Sequence, residues 1–223
     1  MRVLLIGGSG LVGRALAARL CSRPELKLDL LLRRYASGVA PSASVFAAEP
    51  LPEALQQWQS AGQGCDVFIS ALGTTRSIAG SIDAFARIDR DLVLQMAKAA
   101  RAAGAQQAIL ISSVGADPRS RNDYLRIKGQ VEDAVAALGF DRCDVLQPGL
   151  LLGEREGQPA RPAERLGQRL APLLNALLIG RLARYRAIEA QNLAAAASAL
   201  IGRPGSGVHR HEGPALLALA RGG

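Results

Sequence analysis

The chain has 223 residues, 49% hydrophobic and only 4% aromatic, with 27 Lys and Arg against 19 Asp and Glu and a formal net charge of +8. That length suits one globular domain with a sizeable core and excludes a second full domain. The positive balance fits an anionic ligand, while scattered charges and few aromatics speak against nucleic acid, which needs stacking platforms.

Cys21, Cys65 and Cys143 are far apart, odd in number and set in apolar surroundings. They predict reduced core thiols and a cytoplasmic protein, since oxidised frameworks use paired cysteines. No zinc-ligand spacing is present, so no metal is expected. The N-terminus lacks the succession of a signal peptide, and no apolar run is long enough for stable membrane insertion.

Residues 3–6 are branched or leucine side chains without a polar member, as in a strand buried on both faces of a parallel sheet. Gly7, Gly10 and Gly13 follow at fixed spacing, and residues 11–20 have an amphipathic helical pattern. In a dinucleotide loop Gly7 makes the tight turn, Gly10 lets the backbone approach a pyrophosphate and Gly13 lets the helix pack closely. The phosphates then sit on the N–H groups of the helix start, so Gly7, Ser9, Gly10, Leu11, Val12 and Gly13 form the candidate cofactor loop. The competing reading is a structural turn without ligand. No Gly-Lys-Ser/Thr follows, which excludes a P-loop.

Residues 26–32 read as the second strand, ending in Arg33 and Arg34. An acid at that tip would bind the ribose hydroxyls of NAD, whereas arginine pairs with the 2′-phosphate of NADP. Asp29 lies inside the strand, so NADP(H) is expected, with NAD(H) the alternative. A third strand at 44–48 and a short helix at 52–60 precede a fourth strand at 65–70. That strand opens into Ala71, Leu72, Gly73, Thr74 and Thr75, small residues placed where open α/β sheets hold ligands.

Residues 82–103 predict one long helix with Phe85, Ile88, Leu92, Met96 and Ala99 on its apolar face, stopped by Gly104. The fifth strand, 108–111, runs into Ser112 and Ser113. Tyr124 comes eleven residues after Ser113, and Lys128 shares its helix face four residues on. A phenol is a poor acid-base group at neutral pH unless a neighbouring ammonium favours the phenolate. Tyr124 would then move a proton, and a serine would orient a carbonyl, Ser113 first and Ser112 as the alternative. The plainer reading leaves Lys128 on the ribose and Tyr124 in the core. A sixth strand, 142–147, leads into Pro148 and Gly149.

These segments together resemble a group of atypical short-chain dehydrogenases, the Tat-interacting-protein (CC3-like) oxidoreductases and their bacterial relatives. The matching residues are Gly7 to Gly13, Leu72-Gly-Thr-Thr-Arg76 with Ala79-Gly80, Ile88-Asp-Arg-Asp91, Ser112-Ser113 with Gly115-Ala-Asp117, Tyr124 with Lys128-Gly129, and Gln147-Pro-Gly-Leu-Leu-Leu152. They cover most of residues 1–155. The resemblance implies a Rossmann-type fold, NADP(H) as ligand, Ser, Tyr and Lys as the reductase triad, and Pro148-Gly149 as the bend beside the nicotinamide, but no particular substrate.

Residues 154–186 hold seven arginines and three glutamates interleaved with leucines. They predict one or two helices capping the nicotinamide end, or contacting a second subunit or a protein partner. A basic amphipathic helix resting on an acidic membrane is the weaker option. A helix at 187–201, a last strand at 207–213 and a terminal helix at 214–220 complete the chain. His209 and His211 would point the same way on that strand, but without a third ligand in phase they are expected at the surface.

The strand-helix alternation predicts an α/β, doubly wound, mostly parallel sheet with helices on both faces. The leading functional expectation is an NADP(H)-dependent reductase of a small carbonyl compound. The second is a regulatory module that binds NADP(H) without turnover and acts through a partner on 154–186. A nucleotide-sugar epimerase is a third, disfavoured by the short chain.

Overall fold

The apolar runs become seven parallel strands: β1 (Arg2–Ile6), β2 (Lys27–Leu32), β3 (Ser44–Ala47), β4 (Val67–Ser70), β5 (Gln107–Ile111), β6 (Arg142–Gln147) and, after two short strands, β9 (Gly207–Glu212). Their order across the sheet is β3-β2-β1-β4-β5-β6-β9, with every pairing parallel. This is the expected Rossmann-type architecture. The computed structural model describes residues 1–35, 42–74, 80–153 and 178–222.

Why residues 3–6 of β1 are all apolar is visible in their surroundings. Val3 and Leu5 face one core with α1 (Leu11–Cys21) and α5 (Ala190–Leu200). Leu4 and Ile6 face the other, with α2 (Leu51–Ser60), α3 (residues 82–102) and α4 (Asp123–Ala136). Both faces are covered, so alternation has no use there. The chain ends in α6 (Gly213–Arg221). β7 (Leu151–Leu152) and β8 (Ile188–Glu189) form a separate parallel pair that the sequence pattern is too short to reveal. Of the expected cap helices, residues 180–185 form a 3-10 turn, and 154–177 lie outside the described residues.

The long helix α3 departs from its predicted register. Its three continuous pieces are Ile82–Ala86, a π-helical turn at Arg87–Leu92, and Val93–Ala102. The wider turn carries an extra residue and rotates the face. Asp89 and Val93 are buried where Ile88 and Leu92 were expected, and those two are only half-buried.

The β1–α1 turn is the tightest close approach in the sheet's carboxyl edge. Gly7 has φ +79°, and a Cβ there would lie 2.4 Å from the backbone of Ala71 and Leu72. A Cβ on Gly13 would lie 2.0 Å from the Gly7 carbonyl oxygen, so α1 rests directly on the turn. The two jobs expected of these glycines are therefore steric necessities.

At the opposite end of the sheet a polar cluster joins β5, β6 and β9. Asp144 is fully buried and accepts hydrogen bonds from Arg142 at 2.7 and 2.8 Å and from Gln107 at 2.9 Å; the His211 ring lies 2.9 Å away. Gln107 also donates to the Leu200 carbonyl and accepts from Gly202 N–H, fastening α5 to the strands. His211 is thus a structural partner of Asp144, not a free surface residue, while His209 stacks on it with ring centroids 6.5 Å apart. No group of three metal-ligating side chains occurs among the described residues.

Burial alone would raise the Asp144 pKa, but the bonds from His211, Arg142 and Gln107 and the Arg142 charge outweigh it and hold the value at about 2. A carboxylate depressed on folding stabilises above its unfolded value and loses that contribution as pH falls through the folded one. Urea unfolding should therefore show wild type losing about 2 kcal/mol more than Asp144→Asn between pH 5 and pH 2. Gly13→Ala should lower stability by about 1–3 kcal/mol, because the helix must lift off the turn; thermal unfolding checks it.

Candidate functional site

A parallel sheet delivers all its strand ends to one edge, and every candidate residue lies along that edge. Ser9 and Gly10 are exposed at the start of α1, while Val12 and Gly13 are buried and offer only backbone. Gly10 is the N-cap with no side-chain cap, and Arg14 Nε braces the turn by donating to the Ser9 carbonyl at 3.2 Å. A Cβ on Gly10 would meet only the Gly7 oxygen, at 3.3 Å. The helix start therefore keeps an approachable backbone surface with its positive dipole end outward, which fits a pyrophosphate.

Arg33 and Arg34 stand exposed just past β2. Arg34 Nε pairs with Glu49 at 2.8 Å, an exposed pair of little strength that an approaching phosphate can replace. Asp29 is unavailable to a ribose. It is buried, accepts from Trp58 Nε1 at 2.9 Å, and burial pushes its carboxyl above the usual range.

Ala71, Leu72, Gly73 and Thr74 run from the end of β4 toward α4. The Thr74 N–H donates to Asp89 Oδ2 at 2.9 Å, and Lys128 Nζ lies 2.7 Å from Asp89 Oδ1. Lys128 and Asp89 are 6% and 1% exposed. A Cβ on Gly73 would sit 3.7 Å from Lys128 Nζ, so the loop passes the ammonium closely. Asp89 thus holds both the loop and the lysine. The expectation that Lys128 neighbours Tyr124 is met in sequence spacing, but its ion-pair partner is Asp89. The resemblance quoted Asp89 without a role, and an acid four residues after Phe85 on a helix's apolar face was the available signal. Thr75, Arg76 and Ala79 fall outside the described residues.

Tyr124 is half-buried in the first turn of α4, its ring 5.5 Å from Phe85. Asn122 caps that helix by accepting from Leu125 N–H. The loop after β5 packs onto α4 at Gly129, where a Cβ would lie 2.3 Å from Pro118 N. Gly129 is therefore what lets residues 117–118 approach the Tyr124 and Lys128 helix.

The two serines part company. Ser112 Oγ donates to the buried Glu132 Oε1 at 2.5 Å, which commits its hydroxyl to the interior. Among the described residues, Ser113 Oγ has only a long 3.5 Å contact to the Val114 carbonyl. Val114 N–H donates to the Pro148 carbonyl at 2.9 Å, setting the buried Pro148 beside the serine loop. Glu132, one turn beyond Lys128 on the same face, was not singled out from the sequence; its i+4 spacing from Lys128 was the clue.

Cys65 and Cys143 are buried, with thiols pushed up to about 12 by burial, which removes them from any nucleophilic role. No helix among the described residues is long and apolar enough to cross a membrane.

Comparison with known proteins agrees with this site. The profile of a family described as NAD(P)H-binding matches residues 7–168. Protein fmp52, mitochondrial, of Emericella nidulans is 41% identical over 179 residues, covering 77% of this chain and 75% of that protein. Protein FMP52, mitochondrial, of Eremothecium gossypii is 35% identical over 158 residues, covering 70% and 69%. Among solved structures, UDP-glucuronic acid 4-epimerase from Bacillus cereus in complex with NAD aligns over 96% of this chain and 78% of that one, with TM-score 0.66 and 13% identity. Helicobacter pylori ADP-L-glycero-D-manno-heptose-6-epimerase aligns over 95% and 76%, with TM-score 0.71 and 16% identity. At such identities the structures attest the fold alone.

The names of the relatives overturn one expectation. Those proteins are called mitochondrial, so the cytoplasmic placement drawn from reduced cysteines does not stand. Reduced thiols report a redox environment, and an address is read by cellular receptors from features that composition does not carry. The uncapped helix start, the close-packed glycines and the profile agree on one ligand: the chain belongs to the NAD(P)H-binding family and has its Rossmann-type fold.

Proposed function

We propose that this protein is an NADP(H)-dependent oxidoreductase that reduces a small carbonyl compound, in keeping with its resemblance to the Tat-interacting-protein (CC3-like) group. The observation that supports it most is the buried Lys128, fixed by Asp89 beside Gly73 at the cofactor edge and one helical turn from Tyr124. A desolvated ion pair at the edge where ligands bind is a pattern enriched at functional sites.

In this reading the bound nicotinamide supplies the hydride. Tyr124 gives its proton to the carbonyl oxygen, and Lys128 stabilises the phenoxide left behind while donating to the ribose hydroxyls. Ser113, whose hydroxyl has no strong partner, donates to the carbonyl and orients it; Ser112 is held by Glu132. The backbone of residues 9–13 receives the pyrophosphate, Ala71 to Thr74 flank the ribose, and Pro148 borders the nicotinamide. Arg33 and Arg34 receive the 2′-phosphate, Arg34 exchanging Glu49 for the stronger anion.

Two measurements test this. Fluorescence titration of Arg33→Ala/Arg34→Ala should show NADPH affinity reduced roughly tenfold or more with NADH affinity nearly unchanged. Equal losses would remove the 2′-phosphate role. In a carbonyl panel, Tyr124→Phe should lower kcat by about 100-fold or more while cofactor binding persists. Cofactor binding with no wild-type turnover on any carbonyl would instead favour a regulatory module.

A further inference from the structure

One buried carboxylate has no place in the proposed chemistry. Glu132 is 2% exposed, and its two oxygens accept from Ser112 Oγ at 2.5 Å, from Gln147 Nε2 at 2.8 and 2.9 Å, and from Arg210 Nε at 3.2 Å. These donors come from three different places: just past the end of β5, the last residue of β6, and β9. All of them are gathered onto α4, the helix that carries Tyr124 and Lys128.

The consequences run through the neighbours of those donors. Ser113 follows Ser112, and Pro148 follows Gln147. Ser112 Oγ is bound to Glu132, while the adjacent Ser113 Oγ makes a long contact to the Val114 carbonyl and does not share that partner. Ser112 N–H donates to the Leu146 carbonyl at 2.8 Å and Val114 N–H to the Pro148 carbonyl at 2.9 Å, so the two strand ends move as one. A small cavity lined by Ser112, Asp89, Lys128 and Glu132, among others, lies at these ends, and Glu132 reaches from the helix to both of them beside the backbone packing at Gly129.

Resting on the reaction proposed above, we propose that Glu132 is a positioning residue. Its carboxylate fixes the strand ends bearing Ser113 and Pro148 relative to the helix bearing Tyr124 and Lys128, so that hydroxyl, phenol and nicotinamide border meet in one geometry. It touches no reacting atom itself. A lost tie should therefore lower turnover by misalignment and spare cofactor binding, because the glycine loop and Lys128 are held by other contacts.

The test uses the full chain, NADPH and 9,10-phenanthrenequinone as the probe carbonyl. Glu132→Gln keeps the shape but removes the charge that collects three donors, Ser112→Ala removes one link, and Asp144→Asn weakens the sheet elsewhere as a stability control. Glu132→Gln should lose about tenfold or more in kcat with the KM for NADPH within about twofold, and Ser112→Ala should change in the same direction by less. Unchanged kcat in Glu132→Gln, or a loss matched by Asp144→Asn, overturns the proposal. If wild type reduces no carbonyl, the proposed reaction falls and amide exchange decides the positioning role. Faster exchange of the Ser112 and Val114 amides in Glu132→Gln, with NADPH affinity kept, supports it, and unaltered exchange overturns it.

Discussion

The candidate site depends on a lysine taken out of water. Lys128 is held by Asp89, and neither side chain has more than a trace of solvent contact. Desolvating such a pair is costly, and its attraction offsets the cost only with good geometry and further hydrogen bonds. Asp89 gains one of these from Thr74 N–H. Removing either partner would strand a buried charge, at a cost of about 3–5 kcal/mol. The loop after β4, the π-helical turn of α3 and the middle of α4 are therefore obliged to stay together.

Steric exclusion does comparable work without charge. Gly7, Gly13 and Gly129 each stand where a Cβ would meet backbone at 2.4 Å or less. Backbone cannot yield as a side chain can, so these three positions set how closely α1 meets the β1 turn and how closely the serine loop meets α4. The ionic and steric constraints act on the same edge of the sheet. Asp144 and its partners fasten β5, β6 and β9 to one another through hydrogen bonds between residues far apart in the chain.

Much of the fold was legible in the sequence because its inner strands are buried on both faces and leave apolar runs, as residues 3–6 and 30–32 show. The glycine loop was legible because its spacing has a steric reason. The helix from 82 was found but its face misplaced: the π-helical turn at Arg87–Leu92 shifts the register by an extra residue, which a constant helical period does not include. β7 and β8, two residues each, carry no period at all. Cysteine usage read as a cellular compartment failed against the names of the relatives, since burial explains Cys65 and Cys143 without any reference to place.

By itself, then, the sequence determined the parallel α/β architecture and the glycine loop that opens it, because each follows from local spacing and from which residues tolerate burial. Only the tertiary structure decided which partners the polar side chains take. Asp89 with Lys128, Glu132 with Ser112 and Gln147, and Asp144 with His211 are separated by 39, 20, 15 and 67 residues and meet only when sheet and helices pack. Pairings across such distances are chosen by desolvation, which requires every buried charge to find a counterpart and which no local pattern encodes.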